Sequence, residues 1–328
     1  MKQRIFVLYT GGTIGMSQSP EGLKPDTALA EKALQPFAER WDFDWHICTP
    51  LIDSSAVTLS NWQQWLNILA DKIADYDGIL ILHGTDTLAY TANILTLFLQ
   101  DLDKPVVLTG SQWPFGTENS DAPFNLATAV AAFDIPDFAG VALAFNGKLF
   151  PAVGSSKVST EDADGFLNAH FGVLGEWSAQ TGWQNPAVRP SEKSGRLKIF
   201  NLDTKAKVVC HTLIPGFSVQ EISDGLLHSQ AGAVVLQSYG HGNAPSNEAL
   251  ISAVRSFTAR GGLVLNISQV QKGCAEAVYA QGSALRHAGV VNGGKANLET
   301  ATALLTLAVS QAWNSKQLQT ALSELDLV

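Results

Sequence analysis

Ile79-Leu80-Ile81-Leu82-His83-Gly84-Thr85-Asp86-Thr87 opens as an unbroken apolar run and stops abruptly in a polar turn. Four consecutive aliphatic residues leave no polar face for water, so the run reads as a strand covered on both sides, as happens when crossover helices pack on a parallel sheet. The same pattern recurs outward along the chain: apolar runs at 5–9, 106–108, 141–145, 234–236 and 263–266 end in, or are closely followed by, Gly, Thr, Ser or Asn. Helices to cover them are present. Ser60-Asn61-Trp62-Gln63 reads as a capping box, and Trp62, Trp65, Leu66, Leu69 and Ile73 follow at helical spacing. Further helices are expected at 87–99, 124–133, 247–260 and 299–313, the one at 247–260 stopping at Gly261-Gly262. Strand and helix alternate, which implies an α/β architecture.

A chain of 328 residues exceeds what one hydrophobic core usually organises, so two domains are expected. The alternation breaks between 181 and 207, where Pro186, Pro190 and Gly195 accompany a loose basic group of Arg189, Lys193, Arg196 and Lys198. This places an N-terminal domain at 1–185, a linker at 186–207 and a C-terminal domain at 208–328. The basic group reads as a solvated linker rather than a binding patch.

Composition narrows the function classes. Hydrophobic residues make up 46% and charged residues 16%, the balance of a compact soluble protein. Thirty acids against 21 bases give a net charge of −9, which repels phosphate backbones and anionic lipid surfaces, so neither nucleic acid nor membrane is an expected partner. The five apolar residues after Met1-Lys2-Gln3-Arg4 are too few for a signal-peptide core, and a cytoplasmic location is expected. Cys48, Cys210 and Cys274 are widely spaced and read as free thiols. The seven histidines include no pair at helical three- or four-residue spacing, so no metal site is expected.

In open parallel sheets ligands sit at the carboxyl ends of strands, which singles out the polar loops after the apolar runs. Thr10-Gly11-Gly12-Thr13-Ile14-Gly15 matches neither Gly-x-Gly-x-x-Gly nor the Walker form. Its glycines allow close backbone approach around Thr13, serving either a tight turn or an oxyanion hole for acyl transfer. Thr85 sets a hydroxyl beside the Asp86 carboxylate, as helix caps or as chemistry, and Thr87 stands where a cap of the next helix is expected. His83 reads as a base or as a satisfied core histidine. Gly154-Ser155-Ser156-Lys157 offers a lysine that is solvent-facing or, partly desolvated, a base able to activate an alcohol. No Gly-x-Ser-x-Gly elbow and no His-Glu-x-x-His occurs, so a hydrolase here would use threonine.

Taken together these loops resemble the bacterial L-asparaginase family, closest to its cytosolic type I branch. The resemblance rests on Tyr9-Thr10-Gly11-Gly12-Thr13-Ile14-Gly15-Met16 and Leu82-His83-Gly84-Thr85-Asp86-Thr87-Leu88-Ala89-Tyr90, with Pro50-Leu51-Ile52-Asp53-Ser54-Ser55 between them. Thr109-Gly110-Ser111-Gln112, Asp121, Asn125-Leu126, Lys157, Ser238-Tyr239-Gly240 and Gly242-Asn243-Ala244-Pro245 continue it. It implies a larger N-terminal α/β domain with a mostly parallel sheet and a smaller doubly wound C-terminal domain. It also implies sites formed between subunits of a homodimer or homotetramer, with L-asparagine as substrate and no cofactor. By resemblance Thr13 is the nucleophile, Thr85 with Lys157 and Asp86 forms a second hydroxyl unit, and Asp86 also holds the α-ammonium. Ser54 and Ser55, with Asp53 alongside, receive the α-carboxylate or order its surroundings; Ser111 lines the substrate, and Asn243 approaches from a partner chain.

The chain departs from the pattern at three places. Leu23 stands where the family commonly has a flap tyrosine that helps activate the nucleophile, and Leu23 carries no proton. The spacing from Val158 to Phe166 is nearer the secreted branch. Val270 replaces a cysteine expected at an effector asparagine site, so allostery is not expected. Three activities follow as expectations: hydrolysis of asparagine to aspartate and ammonia through an acyl-threonine, mixed asparaginase and glutaminase action, or a weak or silent binder of amide amino acids.

Overall fold

The computed structural model describes residues 2–19, 22–184, 186–188, 197–276 and 280–328. Its contacts divide the chain into two units, Met1–Phe200 and Asn201–Val328. Arg189, Pro190, Lys193, Gly195 and Arg196 lie outside the described residues. Within the 186–207 stretch, Lys198–Ile199 pairs antiparallel with Leu99–Gln100, and Lys198 meets the Asp101 carboxylate at 3.1 Å.

The first unit is built on an eight-stranded sheet in the order Gly182–Gln184, Gly175–Ser178, Lys148–Pro151, Gly140–Phe145, Pro105–Thr109, Gly78–Leu82, Gln3–Tyr9, Trp41–Ile47. From Gly140–Phe145 to Trp41–Ile47 neighbouring strands run parallel, and the remaining pairings are antiparallel. The expected mixed α/β sheet, mostly parallel, is what forms. Gly78–Leu82 is buried at every position, as an unbroken apolar run requires. Trp41–Ile47 was not anticipated. It is an edge strand, and its Trp-Asp-Phe-Asp-Trp alternation leaves Asp42 and Asp44 off the core, so it never forms a continuous apolar run.

Register decides where the loops emerge. Tyr9 lies opposite both Ile47 and Leu82, and Leu82 lies opposite Thr109. The strands therefore end level. Strand order reverses beside Gln3–Tyr9: Trp41–Ile47, the next strand of this sheet in sequence, pairs on one side and Gly78–Leu82 on the other. That reversal opens the crevice in which open sheets bind ligands.

Helices Leu59–Lys72, Leu88–Phe98 and Ala122–Ala131 belong to this unit. The capping box of the first lies at Thr58 and Asn61, not at Ser60 and Gln63: the Thr58 N–H donates to Asn61 Oδ1 at 2.9 Å. The box sits two residues earlier because Ser60 is already helical. Thr87 occupies the N-cap position of Leu88–Phe98 without capping it; its hydroxyl donates instead to the Ser54 carbonyl at 2.7 Å. Nine of that helix's residues are buried, which suits a helix packed between sheet and neighbours rather than on an aqueous face.

The second unit carries a four-stranded parallel sheet, Val208–Thr212, Ala233–Ser238, Leu263–Ser268, Val291–Asn292. Glu248–Ala259 packs Leu250, Ala253, Val254 and Phe257 into a core with Val234, Leu236 and Val264. Its Asn247 cap accepts the Leu250 N–H at 3.0 Å, as the Asn-initiated pattern demands.

Candidate active site

At the level strand ends of the first unit, four loops meet main chain to main chain. The Thr10 N–H donates to the Leu82 carbonyl at 3.0 Å, the Ile52 N–H to the Thr10 carbonyl at 2.9 Å, and the His83 N–H to the Thr109 carbonyl at 3.0 Å. Glycines make the approach sterically open. A Cβ on Gly12 would lie 2.4 Å from the Gly84 nitrogen, and one on Gly110 would lie 2.2 Å from the His83 carbonyl oxygen. A Cβ on Gly84 would meet Ser54 Oγ at 2.5 Å. The loops carrying Thr13, Ser54, Thr85 and Ser111 are thus interlocked.

Gly12 has φ 99° and precedes a short 3-10 turn, Thr13–Gly15, so the chain turns sharply under Thr13. The Thr13 side chain is half-buried, and its hydroxyl has no hydrogen-bond partner among the described residues. Below the turn, the buried Tyr9 hydroxyl donates to the Gly15 carbonyl at 3.3 Å, and burial raises its pKa to about 12.

The second alcohol is Thr85, buried at the head of the 3-10 turn Thr85–Thr87. Lys157, from the strand Ser155–Lys157, donates to Thr85 Oγ1 at 2.8 Å and to Asp86 Oδ1 at 2.8 Å. An ammonium has only donors, so the Thr85 oxygen accepts and its own proton is free to point elsewhere. Lys157 is 17% exposed and Asp86 57%, which leaves the carboxylate open to a ligand while the amine is largely shielded.

Asp53 accepts the Ser55 N–H at 3.0 Å and so caps the 3-10 turn Ser54–Ala56; Ser54 is buried and Ser55 exposed. Ser111 is fully buried and its hydroxyl donates to the Trp113 carbonyl at 2.7 Å. Asn243 belongs to the second unit, in a tight turn where its N–H donates to the Tyr239 carbonyl at 2.8 Å.

His83 is a satisfied core residue. Trp62 Nε1 donates to Thr91 Oγ1 at 2.9 Å, Thr91 pairs with His83 Nε2 at 2.9 Å, and His83 Nδ1 pairs with the Gly84 carbonyl at 2.7 Å. An indole is a donor only, so the chain of bonds assigns the neutral Nδ1–H tautomer to the ring. Burial lowers its pKa from 6.5 to about 4.

The structure thus sets Lys157, from an antiparallel hairpin, against Thr85 and Asp86 on a strand-end loop whose Gly84 abuts Gly12. Residues 4–189 match the asparaginase N-terminal domain and residues 207–322 the glutaminase/asparaginase C-terminal domain. The chain belongs to the asparaginase family. Among its relatives, L-asparaginase 1 of Escherichia coli K12 is 35% identical over 329 residues, spanning 98% of this chain and 96% of that one. The solved L-asparaginase I of Vibrio cholerae is 33% identical with a TM-score of 0.85, covering 98% and 97% of the two chains. A probable cytoplasmic L-asparaginase of Campylobacter jejuni is 26% identical with a TM-score of 0.82, covering 98% and 99%.

Around this candidate site of an asparaginase-family chain, three supporting residues carry little signal of their role in the sequence. Thr91 was hidden in an apolar helix, where an isolated hydroxyl opposite a buried histidine was the available signal. Tyr9 closes the apolar run 5–9 and opens the first motif, and neither position gives its hydroxyl a task. Gln112 belongs to the Thr109–Gln112 motif, which by itself indicates nothing of where its side chain reaches. Leu23 lies on the strand Gly22–Pro25, which pairs with Met16–Ser19 as a hairpin following the Thr13 turn.

Proposed function

We propose that this chain is an amidohydrolase converting L-asparagine and water to L-aspartate and ammonia through an ester on Thr13. The observation that carries the reading is the Lys157 ammonium bridging the Thr85 hydroxyl and the Asp86 carboxylate, on a loop whose Gly84 abuts Gly12. Thr13 Oγ attacks the side-chain amide carbon, the C–N bond breaks, and the nitrogen leaves as ammonia after taking a proton. Water then adds to the ester, and Thr13 recovers its hydroxyl as aspartate departs. Thr85 and Lys157 handle these protons. Fixing the amide between the two alcohols supplies orientation, worth roughly 7–11 kcal/mol in favourable cases.

Asparagine is zwitterionic, so the site needs a cation holder and an anion holder. Asp86 serves the α-ammonium. Ser54 and Ser55 serve the α-carboxylate, and Asp53 acts by capping their turn, since a second carboxylate beside the first would repel it. Ser111 contributes to the shape of its loop, its hydroxyl being engaged with Trp113. Asn243 completes the pocket from a neighbouring copy in a homodimer or homotetramer. We place the enzyme in the cytoplasm, with catalytic residues in 1–185, a linker at 186–207 and the C-terminal domain at 208–328; among the described residues no helix is long and apolar enough to cross a membrane.

A second reading is favoured by one observation. The Thr13 hydroxyl lacks a partner among the described residues and Leu23 supplies no proton carrier, as expected of an unactivated binder of amide amino acids. Ammonia release from asparagine and glutamine, run in parallel, separates the readings. One methylene alters pocket preference by only about 1–3 kcal/mol, so glutamine turnover at a lower rate is compatible with the enzyme. Thr13→Ala is expected to abolish ammonia release while aspartate still raises the melting temperature; full activity in that variant removes Thr13 as nucleophile.

A further inference from the structure

Lys157 stands at the end of one strand of a small hairpin, opposite Phe166, and residues 158–165 close the loop beyond it. The Val158 N–H donates to the Gly165 carbonyl at 2.8 Å, and Ser159 Oγ accepts the Asp162 N–H at 3.0 Å, so the loop has a defined shape of its own. Two side chains from elsewhere in the unit hold it. Lys148 pairs with Asp164 at 2.7 Å, an exposed contact of the kind that contributes little in water. Gln112 Nε2 donates to the Ser159 carbonyl at 2.8 Å and to the Asp162 carbonyl at 3.3 Å. Both amide protons are thereby used on the turn that follows Lys157. A Cβ at position 165 would come within 2.7 Å of Nε2, so glycine there lets the amide reach.

The other end of Gln112 is pinned. Its N–H donates to Asp121 Oδ2 at 2.9 Å and the Trp113 N–H to Asp121 Oδ1 at 3.0 Å. Asn125 Nδ2 donates to Asp121 Oδ2 at 2.9 Å and to the Gly110 carbonyl at 3.0 Å, while its Oδ1 accepts the Asn146 N–H at 2.8 Å. Asp121 is 7% exposed and Asn125 is fully buried. Both carboxylate oxygens and the Asn125 amide nitrogen are committed to this loop, while Asn125 Oδ1 ties it to Asn146. Satisfied buried networks of this kind are rigid.

We propose that Gln112, braced by Asp121 and Asn125, is a positioning residue for Lys157: it clamps the turn after the lysine and so sets where the ammonium meets Thr85 and Asp86. The proposal rests on the reading of Lys157 as the group that serves Thr85. Misplacement of a reacting group by about 1 Å costs up to about a hundredfold in rate, so a loosened strut acts on kcat rather than on substrate affinity.

The test is Gln112→Met in the full chain, which keeps length and removes both donors, assayed for ammonia release from asparagine. The expected result is a kcat lower by about tenfold with KM within about twofold, whereas Asp164→Asn changes kcat less than about twofold. In a double-mutant cycle, Lys157→Met alone lowers kcat strongly and Gln112→Met lowers it no further in that background. An unchanged kcat in Gln112→Met overturns the proposal, as does a loss that multiplies with that of Lys157→Met. An unchanged kcat in Lys157→Met overturns the assignment of the lysine first. Gln112→Glu, which sets an acceptor against two carbonyls, is read in the same way should the methionine variant not fold.

Discussion

Acidification bears most directly on the way the Thr85 loop is supported. His83 is 1% exposed, donates from Nδ1 to the Gly84 carbonyl and accepts at Nε2 from Thr91, whose own oxygen is occupied by the Trp62 indole. Protonating Nε2 would aim a second N–H at a hydroxyl that is already donating. In the folded chain the ring therefore resists a proton until about pH 4, against 6.5 when solvated. Between those values the unfolded chain binds one proton that the folded chain does not, so stability is full above 6.5 and falls as the pH drops toward 4. The slope is about 1.4 kcal/mol per pH unit, and over the interval it amounts to about 3 kcal/mol. Carboxylates titrate in the same range, so the measurement is a comparison with His83→Asn, which retains a donor for Gly84 and does not ionise. Urea unfolding followed by tryptophan fluorescence suits the site, because Trp65 stands edge-on to the ring with centroids 5.4 Å apart. The variant should be the less stable protein at pH 7, and its deficit should shrink by about 3 kcal/mol by pH 4. A deficit that stays constant across that range would refute the neutral, sealed histidine.

Three further outcomes follow from the same geometry. Gly84→Ala drives a methyl to 2.5 Å from Ser54 Oγ and 3.3 Å from the Gly12 Cα; asparagine turnover is expected to fall by about a hundredfold, and wild-type rates would show that the loops are not interlocked. Asp86→Asn removes the charge facing the α-ammonium and should raise KM for asparagine by about tenfold or more, since a hydrogen bond to a charged group is worth about 1.5–3 kcal/mol; an unchanged KM would move the cation holder elsewhere. Asn247→Ala deletes the cap that accepts the Leu250 N–H and is expected to cost about 1 kcal/mol in urea unfolding, a loss that capping alone would not explain if it exceeded about 2 kcal/mol.

The strands that were legible in the sequence are the ones buried on both faces. Gly78–Leu82 and Leu263–Ser268 are apolar without interruption because nothing along them meets water. Trp41–Ile47 escaped because an edge strand spends alternate positions on solvent. The helices Thr27–Leu34, Ser218–His228 and Ser315–Glu324 escaped for a related reason: each buries only three residues, too few for a continuous stripe in a scan keyed to apolar runs. The chemistry-bearing residues were legible as motifs, but their contacts were not. Lys157 and Thr85 are 72 positions apart in sequence, and nothing local to either announces the pairing. What brings them together is the topology, since the strand Lys148–Pro151 turns back beside Gly140–Phe145 and the hairpin that follows it returns Lys157 to the Thr85 loop. The contact between Gly12 and Gly84 is similarly non-local, and glycine at both positions was its one trace in the sequence. The heights of the two alcohol loops, in turn, follow from sheet register. Tyr9, Leu82 and Thr109 lie abreast, and the bonds from Thr10 to Leu82 and from His83 to Thr109 continue that alignment past the strand ends. A slip of one residue in any of these pairings would turn the buried face of a strand toward the wrong side as well as displace its loop. The apolar runs that build the core therefore also bring the loops bearing Thr13 and Thr85 out side by side, where Gly12 meets Gly84, and the site inherits its alignment from the packing of the strands beneath it.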